Sequence, residues 1–346
     1  MFSRRHQGRI FKRRVARICG GLESNSMSKN ALDLIEKIGL LPNVNVTNPD
    51  VAVRVAQALK DGGIDAIEIP LFEEASMDSL AAVRKANPDS LVGAGTVHTA
   101  ELAQKVVDLG VDFVVAPGMC RETIQYCLDK GVAVIPGATT ATEIEIARSM
   151  GLNILKFFPS ELNGGVKMIN ALRAPFSDVR FITTGGVNFD NLKDYAACKG
   201  VVAAGGSFMT PARLINAERW DDISELAQRA IEISLGFEMG HVGLNCHSVG
   251  EANATAEEFA KIFGFKTREI DISFFGGNAV EAMKKPSFGA NGHIAIACNS
   301  MKRAIYDLER RGYKFRFFKN NDKGEMIAAY IENEIGGFAI HLCVKY

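Results

Sequence analysis

From about residue 40 to residue 207 the chain alternates between two patterns. Short, almost continuous apolar runs recur roughly every 20–25 residues: Val44–Val46, Ala66–Leu71, Leu91–Gly95, Phe113–Ala116, Ala133–Pro136, Asn153–Phe158, Arg180–Thr184 and Val201–Ala204. Between most of them lies a segment of helical period, such as Asp50–Lys60 and Thr99–Leu109. Strands that are apolar on both faces and separated by helices predict a parallel sheet covered on both sides. Eight such units fit a compact (β/α)8 TIM barrel. A doubly wound open sheet is the rival, and eight regular units favour closure. A last helix, Ile223–Ile233, follows the eighth run.

The pattern then changes. His241-Val242-Gly243-Leu244-Asn245-Cys246-His247-Ser248 is echoed by His293-Ile294-Ala295-Ile296-Ala297-Cys298-Asn299-Ser300. Each copy is followed by a helix-like segment ending in Gly264-Phe265-Lys266 or Gly312-Tyr313-Lys314, and then by strand-rich sequence. This is an internal duplication with a period of about 50 residues, each half reading strand–helix–strands. The expected organisation is a disordered basic leader over residues 1–26, a barrel over 27–236 and a smaller α+β domain over 239–346, with the boundary near Gly236–Gly240.

Composition narrows the function classes. The 346 residues carry zero net charge, so nothing in the overall balance argues for a nucleic-acid or membrane partner. The charge is uneven, because residues 1–26 hold seven Arg/Lys and one acid, Glu23. Such a leader reads as a targeting peptide, as a nucleic-acid arm or, the reading adopted here, as residues preceding a natural start at Met27. The seven cysteines include no Cys-x-x-Cys pair and are expected to be reduced thiols in a cytoplasmic protein. No apolar run approaches the length of a membrane span.

The chemistry concentrates at the ends of the apolar runs. Lys156 interrupts Ile154-Leu155-Lys156-Phe157-Phe158-Pro159. A lysine in a buried strand is paired, reaches solvent with its head, or is chemically useful. Desolvation disfavours the ammonium form and leaves the nucleophilic amine that a Schiff-base enzyme requires. Glu68 is likewise a charge within Ala66-Ile67-Glu68-Ile69-Pro70. It is either a structural ion partner or a proton shuttle beside the lysine. Thr96 ends the third run, placed either to hydrogen-bond a carboxylate or to cap the next helix. Thr184-Gly185-Gly186 and Gly205-Gly206-Ser207 end the seventh and eighth runs. Adjacent strand ends of this kind offer backbone N–H groups and a hydroxyl to a phosphate.

Several of these motifs, in order, resemble the 2-keto-3-deoxy-6-phosphogluconate aldolase / 4-hydroxy-2-oxoglutarate aldolase family over about residues 30–235. They are Gly93-Ala94-Gly95-Thr96-Val97, Lys156-Phe157-Phe158-Pro159-Ser160-Glu161, Asn163-Gly164-Gly165-Val166-Lys167, Pro175-Phe176-Ser177-Asp178-Val179-Arg180-Phe181 and Thr184-Gly185-Gly186. The resemblance implies a trimeric, metal-independent class I aldolase that needs no cofactor beyond its own Schiff base. It assigns the Schiff base to Lys156, acid/base work to Glu68, the pyruvate carboxylate to Thr96, and pocket walls to Pro117 and Phe158. Phosphate falls to Thr184, Gly185, Gly186, Gly206 and Ser207. The chain departs from the family at Phe72, four residues after the glutamate, where the family usually carries an arginine for the substrate carboxylate. The reaction type is therefore better founded than the substrate. Two rival readings are a sugar-phosphate isomerase or epimerase, with Lys156 as an electrostatic clamp, and a non-catalytic sensor.

The duplicated segment resembles the glyoxalase / vicinal-oxygen-chelate superfamily through His241-Val242-Gly243-Leu244, Gly292-His293-Ile294-Ala295-Ile296 and Gly337-Phe338-Ala339-Ile340-His341-Leu342. The resemblance implies two strand–helix–three-strand modules cupped around a divalent metal, with His241 and His293 at ligand positions and His341 where a glutamate is commoner. A fourth ligand is not assigned. Equally, the domain serves assembly or covers the barrel mouth, its histidines merely packed.

Overall fold

The computed structural model describes residues 24–345. The basic leader lies outside the described residues, except that residues 24–26 open the first helix, Ser24–Ile38. Eight parallel strands follow: β1 (Leu40–Pro42), β2 (Ala66–Pro70), β3 (Leu91–Gly95), β4 (Phe113–Val115), β5 (Ala133–Ile135), β6 (Ile154–Phe157), β7 (Arg180–Thr183) and β8 (Val201–Gly206). Helices separate them, as the apolar rhythm predicts, for example Pro49–Asp61 and Ala100–Asp108. Nearly every strand residue is buried, because one face looks into the ring and the other is covered by helices.

The first strand was expected at Val44–Val46 and lies four residues earlier. Gly39, at φ +72°, ends the first helix, so Leu40 and Leu41 enter the sheet at once, fully buried. The alternating Asn43-Val44-Asn45-Val46 that imitates a strand is mostly connection, although its first residues keep bonding to the neighbours.

The strands form two four-stranded sheets, ordered β1-β8-β7-β6 and β2-β3-β4-β5. Parallel bridges join them at both ends, Asn43 to Glu68 and Gly137 to Lys156, so the order runs around a closed ring. The seams are hydrogen bonded: the Val44 amide donates to the Glu68 carbonyl at 2.9 Å and the Lys156 amide to the Pro136 carbonyl at 2.8 Å. Inside the ring, Leu41, Phe113, Ile135, Ile182 and Val202 pack together with Ala31 and Ile35 of the first helix, which closes the N-terminal end.

After the helix Trp220–Leu235 the chain builds a second sheet: β9 (Glu238–Asn245), β10 (Thr267–Ile270), β11 (Ser273–Gly276), β12 (Val280–Met283), β13 (Gly292–Cys298), β14 (Phe315–Asn320), β15 (Met326–Ile331) and β16 (Phe338–Val344). Its order is β10-β11-β12-β9-β13-β16-β15-β14. The sequence repeat is thus visible as two strand–helix–three-strand halves meeting at the β9–β13 pair. Their helices are Val249–Phe263 and Met301–Arg310.

The second of these helices docks under the ring. Arg303, buried to 4 % exposure, donates to the carbonyls of Ala196, Val201 and Val202 at 3.1, 2.8 and 2.8 Å. Lys302 bridges Asp33 and Glu36 of the first helix, each at 2.7 Å, and Arg310 pairs with Asp65 at 2.9 Å. These contacts all fall at the N-terminal ends of the strands. The sheet therefore does not cover the opposite end of the ring, where the strands' C-terminal ends lie, which was one of the roles considered for it.

Candidate active site and a second cluster

Glu68 and Lys156 stand at the two seams of the ring and reach across it. The Lys156 Nζ lies 3.3 Å from Glu68 Oε1, with the side chains 6 % and 1 % exposed. Space for the carboxylate comes from Gly95, where a Cβ would sit 2.3 Å from Glu68 Oε1. An ion pair so desolvated persists only with a close partner. The two groups are also close enough for a proton to pass between them. The Phe158 ring, partly open to solvent, stands 5.3 Å from the Lys156 Nζ.

Other strand ends converge here. Thr96 has φ +62°, a conformation unusual for a β-branched residue and held by its surroundings. Pro117 ends the fourth unit; its carbonyl would lie 2.1 Å from any Cβ on Gly137, so that position must be glycine. After β7, Thr184 is buried with its hydroxyl oxygen unpartnered. Gly185 and Gly186 follow at φ +92° and +86°, turning the chain over Pro159 and Glu161. Gly206 and the exposed Ser207 end β8, next to β7 in the ring. Phe72 is 64 % exposed just beyond β2.

The second sheet carries a separate cluster. His241, His293 and His341 are all buried, and one ring nitrogen of each lies within 4.8 Å of the others. Glu281, which the sequence reading did not single out, joins them: its Oε2 is 3.0 Å from the Nε2 of both His241 and His293. The signal was the same as for Glu68, a lone charge in an apolar strand, Val280–Met283. The Ser273 hydroxyl donates to the other Glu281 oxygen at 2.6 Å. Burial alone would raise the Glu281 carboxyl, but its bonds to the two histidines and Ser273 outweigh burial and hold it well below the usual range.

His341 is the open member. Its Nδ1 contacts the Leu342 carbonyl at 3.1 Å, which fixes the proton there and directs the Nε2 lone pair inward. That buried Nε2 has no hydrogen-bond partner. Burial, and then the neighbouring imidazoles, bring His341 down to about 4, so it is neutral at pH 7. Gly243 makes the room for its neighbour, since a Cβ there would meet the His293 ring at 1.9 Å. Three imidazoles this close, with the Glu281 carboxylate against two of them, could hold zinc, nickel or iron(II).

Comparisons with known proteins match the first part of the chain. The family model for KDPG and KHG aldolase matches residues 32–226. A 2-dehydro-3-deoxy-phosphogluconate aldolase of Treponema pallidum is 40 % identical over 201 residues, which are 58 % of this chain and 96 % of the relative. The KHG/KDPG aldolase of Escherichia coli K12 is 37 % identical over 193 residues, 56 % of this chain and 91 % of its own. Among solved structures, the KDPG aldolase of Legionella pneumophila, captured with pyruvate as a covalent carbinolamine, superposes with a TM-score of 0.56 at 31 % identity, covering 57 % of this chain and 97 % of that one. The matched stretch contains the whole ring and the Glu68–Lys156 pair, and it ends before the second sheet begins. The chain belongs to the KDPG and KHG aldolase family, whose members are carbon–carbon lyases.

Proposed function

We propose that the ring is a (β/α)8 aldolase barrel that cleaves a 2-keto-3-deoxy-6-phospho sugar acid, or 4-hydroxy-2-oxoglutarate, to pyruvate and an aldehyde. The aldehyde is glyceraldehyde 3-phosphate or glyoxylate. The observation that carries this reading is the buried Lys156–Glu68 contact at 3.3 Å. Neutral Lys156 attacks the C2 ketone, and the carbinolamine loses water to give an iminium. Glu68 takes the proton of the C4 hydroxyl as the C3–C4 bond breaks, with the electron pair passing into the iminium. The aldehyde leaves. The enamine is protonated at C3, and water releases pyruvate from the lysine.

Thr96 holds the pyruvate carboxylate, and Pro117 and Phe158 wall the pocket. Thr184, Gly185, Gly186, Gly206 and Ser207 receive the distal phosphate, supported by the unpartnered Thr184 hydroxyl. Phe72 supplies no charge, which weakens the hold on the carboxylate. The active form in this reading is a cytoplasmic homotrimer. The described cysteines are all free thiols, and Leu162, 89 % exposed beyond β6, fits a protein–protein contact.

The second sheet, in the same reading, is a vicinal-oxygen-chelate domain. A divalent metal would be held by His241, His293, His341 and Glu281; the unpartnered His341 Nε2 supports this. Such an ion, when bound, polarises an oxygen ligand.

Borohydride reduction with pyruvate, read by peptide mass spectrometry, tests the barrel chemistry. A reduced adduct on Lys156 is expected. Lys156→Met should remove both adduct and turnover while the fold persists. Absence of an adduct on folded protein would instead favour the isomerase and sensor readings.

A further inference from the structure

One face of the second sheet lines a half-open cavity of about 470 Å³, a volume within the usual range for small organic ligands. The cavity is floored by the histidine cluster and belongs to no part of the aldolase site. Strand register explains what lines it. Arg268 pairs across β10–β11 with Phe275, Phe275 across β11–β12 with Glu281, and Tyr330 across β15–β16 with His341. Directly paired residues share a face, so one face of the sheet gathers the acid, the histidines, the aromatics and the cations.

The walls are aromatic. Phe288, Phe317 and Tyr330 form a contiguous group with centroids 5.1–5.9 Å apart, and Tyr330 stacks on His341 at 4.6 Å. Several of these rings are open to solvent, Phe288 to 40 % and Phe317 to 42 %. The rim is cationic. Arg268 lies on Phe275 with its guanidinium 4.5 Å from the ring, and Lys319 lines the cavity from β14, at the opposite edge of the sheet. Nearby Lys284 and Arg316 are engaged by Glu269 and Glu334. Arg268 and Lys319 have no ion-pair partner among the described residues. The one acid in the lining, Glu281, is already held by Ser273 and two histidines.

We propose that this cup binds an organic carboxylate with a flat, apolar body: the acid meets Arg268 or Lys319, and the body lies between the aromatic walls above the histidines. The inference deepens the metal reading of the cup but stands on walls and rim, so the two fail separately.

The test uses the full chain carrying Lys156→Met, so that no imine forms in the barrel, and titrates 3-phenylpropanoate against neutral 3-phenylpropanamide by calorimetry, with and without zinc. The acid is expected to bind at least about tenfold more tightly than the amide. The double variant Arg268→Leu/Lys319→Leu, with unchanged circular dichroism, should erase that preference. Acid binding only in the zinc form upholds both readings. Acid binding equally well without zinc, in protein that retains none after dialysis, upholds the proposal and removes the metal. Equal affinity for acid and amide, no binding in either form, or a preference that survives the double variant overturns it.

Discussion

The barrel pair and the sheet cluster are built alike and differ in stoichiometry. Each has a carboxylate in a buried apolar strand, Glu68 or Glu281, and each has a glycine, Gly95 or Gly243, whose missing Cβ admits a buried side chain. In the barrel one acid faces one amine, an arrangement suited to handing a proton back and forth. In the sheet one acid meets two imidazoles, and a third, His341, stands beside them with its Nε2 lone pair unpartnered. A balanced pair suits acid–base chemistry; an unpartnered lone pair among packed imidazoles leaves a place that a cation could take.

The comparison breaks first at Glu68. Glu68→Gln keeps the shape and removes the proton acceptor, so kcat for cleavage should fall about 10²- to 10⁴-fold, while Lys156 still traps pyruvate. Retention of kcat would show that proton transfer runs elsewhere. On the other side, His341→Ala should lower zinc affinity at least about 10- to 100-fold, read by competition with a chromophoric chelator, and leave aldol cleavage unchanged. A parallel loss of cleavage would mean that the two sites are coupled.

A smaller change sharpens the barrel side. Phe72→Arg restores a cation where the family usually has one, and its exposed position leaves room for the longer side chain. One charge-assisted bond to the substrate carboxylate is worth about 1.5–3 kcal/mol. KM for the 2-oxo acid should therefore fall about tenfold or more with kcat little altered. An unchanged KM would mean that another group already holds the carboxylate. Arg303→Met, which strands three buried carbonyls, is expected to act on stability rather than on catalysis. It should destabilise the fold by about 3 kcal/mol or more in denaturant unfolding, while kcat of the folded enzyme stays the same.

What the sequence disclosed depended on whether the physical signal was local. Lys156 and Glu68 are charges inside apolar runs, and that anomaly is visible in a window of six residues. The eight-unit rhythm is visible too, because buried parallel strands stay apolar on both faces. β1 was displaced because Asn43-Val44-Asn45-Val46 alternates like a strand, whereas Leu40-Leu41 abuts a helix and has only Gly39 to separate it. Glu281 carried the local signal and was passed over, since nothing in its own segment tells which histidines it meets. Arg303 carried none. It sits on an amphipathic helix where arginine is ordinary, and only the packing of that helix under the ring turns it into a buried charge.

Arg303 also bears on the role of the second sheet. Its guanidinium crowds Gly39 so closely that a Cβ there would lie 2.4 Å from Arg303 Nε, and it occupies carbonyls that would otherwise face water. The relatives named above match this chain over little more than the ring, and the second sheet lies outside the matched stretch. With its arginine set into the base of the ring, the sheet doubles as a floor: whatever it binds, removing it would strip the Ala196, Val201 and Val202 carbonyls of their donor.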